Sequence, residues 1–117
     1  MAEYLPIYKP GQAITLKASA AITGGQVVEV TGDGTVGPAG AASTKVLGVA
    51  GFDAAINDNV TVYAGAVQHC TASGAITAGD TVQAAASGKV ATGTTAPIGL
   101  ALSTAADAAD VRVRFIR

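Results

Sequence analysis

The sequence predicts an all-β fold: a small β-barrel or sandwich built from an internally duplicated half and preceded by an extended N-terminal arm. Three observations predict it. Apolar residues recur with period two in short runs, glycine-centred turns separate those runs, and one block occurs twice, at about 21–64 and again at 75–115. At 117 residues the chain fits one domain with a core that needs no metal or disulfide. The expected division is an arm over residues 1–12 and a single β domain over 13–117.

The arm comes first. Tyr4-Leu5-Pro6-Ile7-Tyr8-Lys9-Pro10-Gly11 lies outside the repeat, holds two of the three tyrosines, and carries two prolines that forbid helix and favour extended backbone. Two readings stand side by side: an edge strand packed on its own barrel, or an extended segment reaching across a neighbouring subunit, where rigid amphipathic tyrosines suit an interface. Tyr4, Leu5, Pro6, Ile7, Tyr8, Lys9 and Pro10 are therefore the candidate interface residues.

The duplication follows. Ala21-Ile22-Thr23-Gly24-Gly25-Gln26-Val27-Val28 returns as Ala75-Ile76-Thr77-Ala78-Gly79-Asp80-Thr81-Val82, and Gly34-Thr35-Val36 as Gly88-Lys89-Val90. After a three-residue deletion, Leu47-Gly48-Val49-Ala50 matches Ile98-Gly99-Leu100-Ala101, and Asn59-Val60-Thr61-Val62 matches Asp110-Val111-Arg112-Val113. The first half reads as strands at Gln26–Thr31, after the Gly34 turn, at Val46–Phe52 and at Val60–Ala64. The second repeats them at Asp80–Ala85, Lys89–Ala91, Ile98–Ser103 and Val111–Ile116. In the last, Val111, Val113 and Phe115 face one way and Arg112 and Arg114 the other, a strand half buried and half wet. Gly32-Asp33-Gly34 and Ser87-Gly88 supply the positive φ of tight hairpins. A pseudo-twofold duplication fits one closed barrel to which each half contributes a sheet, leaving no long edge exposed.

Composition excludes several functions. Half the residues are hydrophobic, but aromatics make up only 4% and tryptophan is absent, so the large walls of sugar or base pockets are missing. Seven Lys and Arg against eight Asp and Glu, scattered singly, leave no electrostatic footprint for nucleic acid. Arg112, Arg114 and Arg117 form the one positive concentration, a solvated face or an intersubunit salt-bridge row. The start Met1-Ala2-Glu3-Tyr4 lacks the pattern of a signal peptide. The uncharged stretch between Asp58 and Asp80 is broken by Thr61, Gln68, His69, Thr71 and glycines, so no membrane span is expected. A lone Cys70 excludes an internal disulfide.

No motif carries chemistry. Gly32-Asp33-Gly34-Thr35-Val36-Gly37 has the spacing of a dinucleotide fingerprint with Asp53 about twenty residues on, but Pro38 and Gly40 follow where a helix is required. His69 and Cys70 are strand neighbours pointing to opposite faces and cannot share a proton. One histidine and one cysteine give no metal-chelating spacing. No catalytic residue, cofactor or metal is expected.

In the order Tyr8-Lys9-Pro10-Gly11-Gln12-Ala13-Ile14, Ala21 to Val28, Val46-Leu47-Gly48-Val49-Ala50, the second repeat and the ending Val111-Arg112-Val113-Arg114, the chain resembles the capsid cement, or decoration, proteins of tailed bacteriophages. Some of these carry a recombinase label, which finds no support here: Gly88-Lys89 is followed by Val90 instead of the Ser or Thr of a phosphate loop, and Gln83 stands where its first glycine should be. The resemblance implies a protein made in the host cytoplasm and added to the outer surface of the virion capsid. There it would clamp neighbouring major capsid proteins, as a homotrimer at threefold or quasi-threefold positions. A carbohydrate-binding or adhesive β module on a virion or cell surface is the alternative, weakened because Phe52, Tyr63 and Phe115 fall in apolar strand contexts.

Overall fold

The structure is a computed structural model and describes residues 4–8, 11 and 13–116. It is all-β, and its ten strands fall into two sets of five. The first set is β1 (Ile14–Ala18), β2 (Val27–Gly32), β3 (Thr35–Pro38), β4 (Val46–Ala50) and β5 (Asn59–Tyr63). The second is β6 (Val67–Thr71), β7 (Thr81–Ala85), β8 (Lys89–Thr92), β9 (Pro97–Ala101) and β10 (Asp110–Phe115). Alternation places them as expected: Val111, Val113 and Phe115 are buried while Arg112 and Arg114 are exposed.

The first set closes into a barrel, β1-β3-β2-β4-β5, because β1 pairs in parallel with β3 and antiparallel with β5. The second set, β6-β10-β9-β7-β8, has the same ring order read the other way, and a single parallel bridge, Ala72 to Val90, joins its two ends. That bridge is the duplicate of Ala18 to Val36 in the first barrel. The expectation of one barrel shared between halves is thus corrected. Each half wraps on itself, because β1 and β6 supply a closing strand within their own half. The structural repeat accordingly begins before the sequence repeat, at β1 and β6.

Two apolar clusters fill the molecule. One belongs wholly to the first half and includes Ala18, Ile22, Val28, Val36, Ala50, Val60 and Val62. The other fills the second half but takes in Val27, Ala39, Val46 and Val49 from the first. Small branched side chains suit the narrow closed barrel and the curled sheet beside it, whose interiors side chains fill. At one bulge in each half the strands approach too closely for any side chain. A Cβ on Gly99 would lie 2.5 Å from the Arg114 carbonyl oxygen, and one on Gly48 would strike the carbonyl of Tyr63.

The halves are fastened where the loop after β3 meets the β7–β8 hairpin. Ala42 N–H donates to Ala84 O (2.8 Å) and Gly88 N–H to Ala39 O (3.0 Å), while the Gln26 amide donates to Ser87 O (3.0 Å). Ser87 and Gly88 both have positive φ, 61° and 71°, within the three-residue connection from Ala85 to Lys89.

Candidate functional site

Of the residues expected to form an arm, Tyr4 to Tyr8 and Gly11 are described; Lys9 and Pro10, also expected at the interface, lie outside the described residues. Tyr4 to Tyr8 form no strand. Tyr4 and Leu5 are each 79% exposed and Ile7 89%. Tyr8 reaches β1: its hydroxyl sits 3.5 Å from Thr15 O and 3.4 Å from Thr15 N, both long contacts. The side chains of Tyr4, Leu5 and Ile7 are thus largely in water.

A groove of about 370 Å³ runs between the halves, lined by the Thr23–Gln26 turn, His69, Cys70, Ser87, Gly88, Lys89 and Asp110. β6 and β10 pair His69 with Asp110 in register, and His69 Nδ1 lies 3.1 Å from Asp110 Oδ2 with both side chains largely in solvent. No local pattern of residues announces this pair, since it requires the β6–β10 register. Cys70 is buried, as expected of a small core residue; burial first, and the Asp110 charge second, push its thiol up to about 12. The thiol is therefore neutral and a poor nucleophile at physiological pH. Its side chain faces the core while that of His69 faces solvent.

The glycine fingerprint is the β2–β3 hairpin, with Gly32 paired to Thr35. Asp53, which would have held a ribose, instead accepts the Gly24 N–H at 2.8 Å and ties two loops together. The duplicate bond runs from Ala78 N–H to the Thr104 hydroxyl, 3.0 Å. Among the described residues no group of three or more His, Cys, Asp or Glu is placed to hold a metal ion. The arginine row of β10 faces solvent, and the one ion pair among the described residues is His69–Asp110. The aromatic expectation needs correction: Phe115 is buried, but Phe52 and Tyr63 are 49% and 50% exposed. Tyr63 ends β5 beside the buried Val62, and Phe52 lies two residues past the end of β4 between the exposed Gly51 and Asp53.

A family model described as phage cement protein matches residues 8–115. The chain belongs to that family. A capsid decoration role on the phage head follows from membership, and the family is structural. Among solved structures, this cement-family chain is similar to the N base of the head fiber gp8.5 in bacteriophage phi29. Identity is 19% and the TM-score 0.72, over 89% of this chain and 92% of that one, a likeness of fold. No curated protein matches the sequence.

Proposed function

We propose that this protein is a non-catalytic cement that binds the outer surface of a phage head and stabilises the contacts between neighbouring major capsid proteins. In this reading its N-terminal arm makes the shell contact, it acts as a homotrimer, and it is made in the host cytoplasm before joining the virion. Membership of the cement family over residues 8–115 carries the role, and the exposure of Tyr4, Leu5 and Ile7 supports the arm. Covering Tyr4, Leu5, Ile7 and Tyr8 contributes at most about 1.5–3 kcal/mol each, reduced by the ordering of a segment that has no fixed partner in the free protein. Small net gains at each joint suffice on a shell, because parting the shell breaks many joints together.

The experiment is truncation. Protein lacking residues 1–9 should decorate bare heads at lower occupancy than the full chain and protect them less against heat. Undiminished occupancy and protection would remove the arm from the mechanism, and failure of the full chain to bind heads would remove the cement role itself. The adhesive alternative gains the exposed Phe52 and Tyr63. Tyr63 lies over Gly51, next to Phe52: a Cβ on Gly51 would fall 2.7 Å from its ring. Glycan binding lost in Phe52→Ala would favour that reading.

A further inference from the structure

The contact between the two halves is head-to-tail. A twofold contact would appear twice with the halves exchanged, so Gly88 against Ala39 would be accompanied by Gly34 against Gly93. It is not: a Cβ on Gly34 would meet nothing within 4 Å, and the atoms nearest to one on Gly93 belong to Gln83 of its own half. One surface of the first half therefore caps a different surface of the second, and each surface has an unused duplicate.

The capping face is Val27, Ala39, Val46 and Val49, all 5% exposed or less. Its duplicate in the second half is Thr81, Gly93, Pro97 and Leu100, where Pro97 is exposed and Leu100 is 38% exposed. The capped mouth is Cys70, Ala84, Ile98 and Phe115, none above 6% exposed. Its duplicate in the first half is Leu16, Val30, Leu47 and Ala64. Leu16 and Leu47 pack only partly against the first core, Val30 is 41% exposed and Ala64 is exposed. The same chain thus carries an open apolar mouth at one end and an open capping face at the other.

We infer that a second copy of this chain fills the mouth: the Thr81–Pro97–Leu100 face of one copy docks on the Leu16–Val30–Leu47 mouth of the next, continuing the internal contact between chains. Heterologous contacts of this kind close into rings when the rotation permits. The contact between copies is weaker than the internal one for two reasons. The loop that carries Ala42 to Ala84 is three residues shorter in the second half. Asp33 and Asp80 also stand where Ser87 and Gln26 meet inside the chain, so two carboxylates approach and salt strengthens the association.

This inference does not rest on the arm or on capsid binding, and its test needs neither. The mass of the purified full chain is measured in solution over a range of concentration and salt. Val30→Arg and Leu100→Arg are then compared with Ile56→Arg, an exposed position that belongs to neither surface, and circular dichroism verifies that each is folded. Wild type and Ile56→Arg should associate, while Val30→Arg and Leu100→Arg each raise the dissociation constant roughly a hundredfold by burying an unpaired charge. Mixing the two broken variants should restore one good contact and yield a one-to-one heterodimer. A wild type that stays monomeric, an oligomer that survives both substitutions, or a mixture that forms no heterodimer would each overturn the inference, whatever the outcome of the capsid experiment.

Discussion

Gly34 and Gly88 are duplicates with the same φ, +71°, and differ in what an added Cβ would meet, which makes them a useful pair for measuring how tightly the halves are locked. Replacing either by alanine forces a Cβ into the left-handed region, at about 1–2 kcal/mol. At Gly34 that is the whole cost, because the added carbon meets nothing within 4 Å. At Gly88 the carbon would lie 2.7 Å from Gln26 Cβ and 2.9 Å from Val27 O, both of the other half. The halves must then separate slightly, adding about 1–3 kcal/mol of overpacking. A chain of this length has an unfolding entropy near 0.25 kcal/mol per kelvin, so 1 kcal/mol moves Tm by about 4 °C. Gly34→Ala should lower Tm by about 4–8 °C and Gly88→Ala by about 8–20 °C. The assay is calorimetric unfolding of dilute protein, so that each copy is measured alone. Equal shifts in the two variants would refute the account of the inter-half contact.

Other substitutions test other parts of the structure. Gly99→Ala, with its Cβ 2.5 Å from the Arg114 carbonyl oxygen on the adjoining strand, should cost about 3 kcal/mol or more and be seen as a loss of folded yield or a matching drop in Tm. Ile76→Ala, at a side chain 1% exposed, should cost about 2–5 kcal/mol in denaturant unfolding. Cys70 should resist alkylation at pH 8 in the folded protein and react once unfolded. Because folding raises its pKa from 9.0 to about 12, the folded state holds the proton longer. The contribution to stability is complete below pH 9 and is lost as pH rises towards 12, so Cys70→Ala should flatten this alkaline limb of the stability profile. Asp107→Ala removes the acceptor of the Gly74 N–H, at 2.7 Å, and should cost about 1 kcal/mol.

Much of the fold is legible in the residues because alternation and duplication say the same thing twice. Val60 and Val62 match Val111 and Val113 in position and in burial, and the hairpin at Asp33-Gly34 could be named before any coordinate. The closing strands could not. Thr15-Leu16-Lys17 and His69-Cys70-Thr71 occupy the same place yet share no residue, and only Ala18-Ser19 and Ala72-Ser73 betray the kinship. Their pairing with β3 and with Val90 is parallel and distant in sequence, which no local pattern reports. The His69–Asp110 pair and the exposure of Phe52 and Tyr63 were hidden for a related reason: each depends on strand register and on where a strand stops, and boundaries are what sequence patterns fix least well. The expectation of an arm rests on prolines and tyrosines that have no counterpart in the repeat.

The two apolar clusters are unequal in a way that bears on how the chain comes into being. The first half encloses a cluster made only of its own residues, from Ala18 to Val62, whereas the second borrows Val27, Ala39, Val46 and Val49. A ribosome delivers the self-sufficient half first, and chains of repeated units tend to mature from the N-terminus as they emerge. The earlier barrel is thus finished in time to serve as a surface on which the later one condenses. The order of synthesis coincides with the order of dependence, and a chain assembled from the other end would have to wait for its template.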